Sequence, residues 1–137
     1  MFYERSYEKR GSYNHNRLGK QLLRFDGLEY GTITPMDVDC AIEYRDAKIV
    51  LIEVKMKNVQ VPIGERLALQ RFVDDFTRAG KQAIAIVADH TVFDPNDDIQ
   101  IVDCLVRELY LGTERRWRPP KKMMTVKTLT DSFLEMQ

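Results

Sequence analysis

Two stretches, DVDCAIEY at residues 37–44 and KIVLIEVK at 48–55, constrain this chain more than any other feature. Both are rich in β-branched residues and are separated by a short polar turn around Asp46, the pattern of an antiparallel hairpin. Strand side chains alternate faces, so Asp37 and Asp39 share one side of the first strand, and Glu53 and Lys55 share one side of the second. The turn decides whether those sides coincide. A two-residue turn at Asp46 and Ala47 sets Asp39 opposite Val54 and sends the acids to opposite faces. A three-residue turn, or one bulge, sets Asp39 opposite Glu53 and Asp37 opposite Lys55. Only the second arrangement lets these groups act together.

The flanking sequence supplies the rest of an α/β domain. Leu18, Leu22 and Phe25 recur at helical spacing and predict a short amphipathic helix over 14–25, ended by Gly27. Tyr30–Thr34 reads as a short first strand before Pro35. After the hairpin, Pro62 and Gly64 break the chain ahead of ERLALQRFVDDFTRAG, residues 65–80. There Leu69, Phe72, Val73 and Phe76 form an apolar stripe and Gly80 supplies the stop. AIAIVA at 83–88 is apolar at every position, as expected of a central strand covered on both faces. Ile99–Leu111 reads as a longer strand, followed by a turn at Gly112 and a return strand through Trp117. Thr125–Leu129 reads as a last strand, with Thr130 capping a terminal helical turn docked by Phe133 and Leu134. The expected architecture is a mixed β-sheet flanked by helices. With no repeat or linker, one domain is expected over 1–137, its core at about 14–88 and a C-terminal extension at about 99–137.

A chain of 137 residues can bury a sufficient core without disulfides, and 44% hydrophobic with 31% charged residues argues against disorder. Cys40 and Cys104, each within a predicted strand, show no metal or redox spacing and read as buried free thiols. No secretory leader opens the chain and no apolar run approaches the roughly 20 residues of a membrane span. A cytoplasmic protein without a membrane partner is the expectation. Lys plus Arg total 21 and Asp plus Glu total 21, so affinity for a polyanion must come from distribution, not from net charge. The basic residues do gather, as Arg5, Lys9, Arg10, Arg17, Lys20 and Arg24 near the start, and as Arg115, Arg116, Arg118, Lys121 and Lys122 around Trp117. Asp89, Asp94, Asp97, Asp98 and Asp103 form an acidic stretch between them.

Two carboxylates converging beside an ammonium suit phosphodiester hydrolysis, because hard Mg²⁺ prefers oxygen ligands and keeps waters that can be activated. Asp39 and Glu53 would hold the ion, and the carbonyl of Val54 could add a third oxygen. Lys55 would orient or deprotonate the attacking water and offset transition-state charge. An E-x-K on a strand commonly marks only a solvated face or a surface ion pair. Context raises this one: it ends an apolar strand, follows an acidic strand at hairpin distance, and precedes a helix and a buried strand.

The segment TPMDVDCAIEYRDAKIVLIEVKMK resembles the signature of the PD-(D/E)XK nuclease superfamily, and looks closest to small phage- or prophage-type members. The resemblance covers about 14–88. It implies a restriction-endonuclease-like αβββαβ core with an acid on the second strand and (D/E)-x-K on the third. By it Asp39, Glu53 and Lys55 match the motif. Pro35 directly precedes neither Asp37 nor Asp39, so Asp37 remains an alternative metal ligand. The first helix carries no acid, which leaves a second ion without support. A polar side chain on the helix after the motif is implied, and Glu65 and Gln70 are the candidates; His90 follows the buried strand and could approach. The implied activity is Mg²⁺- or Mn²⁺-dependent endonucleolytic cleavage of DNA. The basic stretches and Lys57 would attract phosphates, and Tyr13 or Trp117 would stack on bases. A homodimer is expected if two cuts need two sites. The alternatives are an inactive nuclease-fold DNA-binding module and a structural or interaction subunit of a phage or restriction assembly.

Overall fold

A computed structural model describes residues 23–137; the helix expected at 14–25 lies, but for its last three residues, outside them. The chain divides after Pro35 into two compact units. In the first, Tyr30 and Ile33 form an isolated bridge around Gly31, whose φ of 69° is left-handed. Tyr30–Thr34 is therefore a tight turn and not the expected strand: its two ends pair with each other and leave nothing to extend.

The second unit holds the hairpin. β1 (Cys40–Tyr44) and β2 (Lys48–Met56) pair from Tyr44↔Lys48 to Cys40↔Ile52, which leaves Arg45, Asp46 and Ala47 as a three-residue turn. Arg45 and Asp46 are both left-handed, at φ 56° and 58°, as in the primed turns that match strand twist, and the Ala47 N–H donates to the Tyr44 carbonyl at 3.0 Å. α1 (Ile63–Arg78) then crosses to β3 (Gln82–His90), which pairs parallel to β2. β4 (Leu105–Leu111), β5 (Trp117–Arg118) and α2 (Val126–Glu135) follow. The five strands lie in the order β1-β2-β3-β4-β5, antiparallel except for β2–β3. This is a mixed sheet between two helices, the expected class.

Each face of the sheet carries its own core. Ile49, Leu51, Ala83, Ala85 and Tyr110 meet Leu69 and Val73 of α1 on one side, while Val50, Ile52, Ile84 and Ile86 meet Val126 and Phe133 of α2 on the other. β2 and β3 are thus apolar at nearly every position because both of their faces are covered. Among the described residues no helix is long and apolar enough to cross a membrane.

α1 begins and ends where Pro62 and Gly80 place it, but it is rolled away from the expected stripe. Leu69 and Val73 are fully buried and Phe76 packs against them, whereas Phe72 is 42% exposed. Polar contacts on the other flank account for the roll. Arg66 pairs with Glu108 at 2.6 Å, Gln70 accepts from the Trp117 indole at 3.2 Å, and Asp74 accepts from the Tyr110 hydroxyl at 2.8 Å. They draw the helix toward β4 and β5 and lift Phe72 off the sheet. Leu69→Ala is expected to cost about 2–5 kcal/mol in a urea melt, against about 1 kcal/mol for Phe72→Ala. Equal costs would mean that the helix sits as the stripe alone suggests.

The C-terminal third departs further. Residues 101–103 form a 3₁₀ turn and Cys104 precedes β4, because β3 pairing ends at Asp89↔Leu105 and leaves no partner for an earlier strand. Cys104 is buried and Cys40 half-buried; both are free. The expected last strand at Thr125–Leu129 is the start of α2. Thr125 is its cap, accepting from the Thr128 N–H at 3.2 Å, and Thr130 is buried inside the helix and caps nothing. Phe133 docks as expected. The buried Lys48 ammonium closes the far end of α2, donating to the carbonyls of Phe133 at 2.8 Å, Leu134 at 3.2 Å, and Met136.

Candidate active site

Alternation along β2 builds the site. Ile49 and Leu51 point into the α1 side of the core, so Glu53 and Lys55 continue along that same side. Asp39 stands one residue before β1, and continuing the observed register puts it opposite Glu53. Two hydrogen bonds lock the pair: the Asp39 N–H donates to Glu53 Oε1 at 3.3 Å, and the Val54 N–H donates to Asp39 Oδ2 at 2.7 Å. In an extended strand the N–H and C=O of one residue point the same way, so the Val54 carbonyl also faces the Asp39 side. α1 adds Glu65 from its first turn. Lys55 Nζ lies 3.5 Å from Glu53 Oε2 and 3.4 Å from Glu65 Oε1. The second contact is ionic without hydrogen-bond geometry, for buried Glu65 Oε1 has no hydrogen-bond partner among the described residues.

Glu53 feels the charges of both Asp39 and Glu65, while Lys55 pairs only with Glu53 and Glu65 among the described residues. Burial pushes the Glu53 carboxyl up to about 8, helped by the hydrogen bond its protonated form donates to Glu65 and by the Asp39 and Glu65 charges, and opposed by the Asp39 N–H. For Lys55 burial is the largest single influence and works against the ammonium, yet the Glu65 and Glu53 carboxylates outweigh it and raise the Lys55 pKa. Lys55 therefore enters any chemistry as an ammonium.

The crowding of acids around buried Glu53 fits a divalent cation. Glu53 is 4% exposed and destabilised by its neighbours, and Glu65 Oε1 lacks a donor among the described residues; a hard cation relieves both, and oxygen is the donor it prefers. No three His, Cys, Asp or Glu side chains stand gathered at ligand spacing among the described residues. The candidate set is accordingly Asp39 and Glu53, with the Val54 carbonyl and waters, which suits an ion that retains part of its hydration shell.

The other candidates fall elsewhere. Asp37 is exposed, and no hydrogen bond among the described residues ties it to the cluster. Gln70 does not join the acids, since its amide oxygen is taken by Trp117. His90 ends β3, and its Nδ1 accepts from the Val92 N–H at 3.2 Å. Trp117 is half-buried, packed 5.3 Å from the Tyr110 ring and 4.9 Å beneath the Arg66 guanidinium, so its faces are not open to a base. Lys57, Arg115, Arg116, Lys121 and Lys122 are exposed. The early basic residues, with Tyr13 and His15, lie outside the described residues.

One residue beside the site has no sequence signature. β4 is bulged between Val87↔Glu108 and Ala88↔Val106, which leaves Arg107 without a strand partner of its own. Its guanidinium instead donates to Asp89 Oδ1 at 2.7 Å, to the Val59 carbonyl at 2.7 Å and to the Met56 carbonyl at 3.3 Å. A bulge is visible only once two strands are paired, so no local pattern could have marked Arg107. Comparison with protein-family models, with curated proteins and with solved structures finds no match for the chain.

Proposed function

We propose that the chain is a metal-dependent endonuclease that hydrolyses DNA phosphodiester bonds, with Mg²⁺ or Mn²⁺ held by Asp39 and Glu53. One observation carries the reading: the hairpin register sets Asp39 against Glu53, with Lys55 next along the same face of β2. The likeness of this segment to the PD-(D/E)XK superfamily agrees with it, as does the order hairpin, helix, parallel strand, which follows the later part of an αβββαβ core. The bound ion would supply a polarised water and neutralise charge on the phosphate. Asp39 and Glu53 bind and orient from opposite strands. Lys55, kept protonated by Glu65 and Glu53, directs an N–H at the water or a non-bridging phosphate oxygen and offsets charge as the phosphorus is attacked. Its raised pKa favours that role over removal of a proton from the water. Exposed Lys57, Arg115, Arg116, Lys121 and Lys122 are the described cations available to DNA phosphates.

Thermal unfolding with and without Mn²⁺, run beside cleavage assays on duplex, nicked, flap and four-way junction DNA, tests the proposal. Mn²⁺ at about 100 times its Kd should stabilise the fold by about 2.7 kcal/mol, and chelation should stop cleavage. DNA binding without cleavage in either metal would transfer the chain to the binding-module reading. Absence of both stabilisation and DNA binding would transfer the chain to the structural-subunit reading.

A further inference from the structure

The segment from Met56 to Arg66 carries Glu65 from the end of β2 to the first turn of α1, and much of it is exposed. It could shift Glu65 relative to Glu53 and Lys55 unless something held it. Two consecutive residues of β4 grip it at both ends. Arg107 takes the carbonyls of Met56 and Val59 while anchored on Asp89, and Glu108 takes the Arg66 guanidinium at 2.6 Å, one residue beyond Glu65. In a regular strand two neighbours point to opposite faces. The bulge at Arg107 removes that restriction and lets adjacent side chains serve the same segment.

We infer that Arg107 and Glu108 form a clamp of positioning residues, which sets the distance of Glu65 from Lys55 and Glu53 and so the cation affinity of the site. The inference rests on the metal-site reading above. Partners that orient a charged site without touching its ion commonly change metal affinity by about 10–100-fold when removed.

The test measures Mn²⁺ affinity of the full chain from the free-ion electron paramagnetic resonance signal. Arg107→Met keeps the stem and loses the donors, and Glu108→Gln keeps the shape and loses the charge; each should weaken Mn²⁺ by about tenfold. Arg107→Lys should recover part of that loss through Asp89. In a Glu65→Gln background Arg107→Met should have little further effect, because the clamp acts through Glu65. Gly112→Ala is the control for general loosening. Its added Cβ would collide with Thr77 Oγ1, and Gly112 bonds Ala83 at the other end of β3, so it strains the fold away from the site. It should lower stability and leave Mn²⁺ affinity unchanged.

Affinities of folded Arg107→Met and Glu108→Gln within about twofold of wild type would overturn the clamp while leaving the metal site standing. So would an equal loss of affinity in Gly112→Ala. If Arg107→Met does not fold, Glu108→Gln decides by the same criterion. A wild-type chain that takes up no Mn²⁺ overturns the site reading itself and the clamp with it.

Discussion

Asp39→Asn and Glu53→Gln are expected to abolish both cation binding and DNA cleavage, whereas Lys55→Ala keeps the ion and loses at least about 10²-fold in hydrolysis. The difference follows from what each side chain contributes. Asn and Gln preserve shape and can still take part in the local hydrogen bonds, but they withdraw the negative charge that offsets the dehydration of a divalent ion. Lys55 is no ligand. Its ammonium lies 3.5 Å and 3.4 Å from the two glutamates, and removing it leaves the carboxylates more negative, so ion binding persists or tightens. Under the proposed mechanism, only the charge aimed at the phosphate is lost. Calorimetric Mn²⁺ titration paired with single-turnover cleavage separates the two classes. Wild-type cleavage in Lys55→Ala and Asp39→Asn would trace the activity to a contaminant.

Without metal, the protein is expected to lose stability as pH rises from about 5 to 8.5, by up to a few kcal/mol. Glu53 titrates near 8 in the fold, against 4.5 for an ordinary glutamate. A carboxyl raised in this way holds its proton more tightly folded than unfolded. Its contribution is fully present below about 4.5 and disappears as pH climbs through about 8, where the folded site must accept a third crowded charge. The window lies below the raised thiols Cys40 and Cys104 and the raised hydroxyl of Tyr110, so their ionisation does not obscure it. Urea unfolding at several pH values should show the decline in wild type and a nearly flat profile in Glu53→Gln. Adding Mg²⁺ at pH 8 should recover the loss and release a proton. Parallel wild-type and Glu53→Gln profiles would contradict the assigned crowding.

How much of this was readable in the residues alone depended on whether the deciding contacts were local. The hairpin's two registers followed from alternation and turn length, and Asp39 opposite Glu53 was one of them; the choice needed the left-handed pair Arg45 and Asp46, which no residue-type preference announces for an arginine. The limits of α1 were legible because Pro62 and Gly80 act on their own backbones. Its rotation was not. Phe72 lies about 60° around the helix from Leu69, at the margin of a stripe, and the contacts that turn it outward involve Glu108, Tyr110 and Trp117, distant in sequence. The start of α2 reads as a strand because Thr125, Val126 and Thr128 favour strands, although the spacing of Val126, Thr130 and Phe133 carries the helical period. Glu65 was recoverable as a polar residue early in the helix. Gln70, equally polar, was diverted by an indole whose position only the folded sheet reveals.

The three-residue turn at Arg45–Ala47 also bears on how such a chain can change over generations. Inserting or deleting one residue there would reverse every side chain of β1, turning Ile42 outward and Glu43 toward the core and carrying Asp39 away from Glu53. Adding or removing two residues would restore the facing of both strands. Lineages descended from this hairpin should therefore tolerate loop-length changes in even steps while the site is under selection, and odd steps should accumulate only once its chemistry has been abandoned.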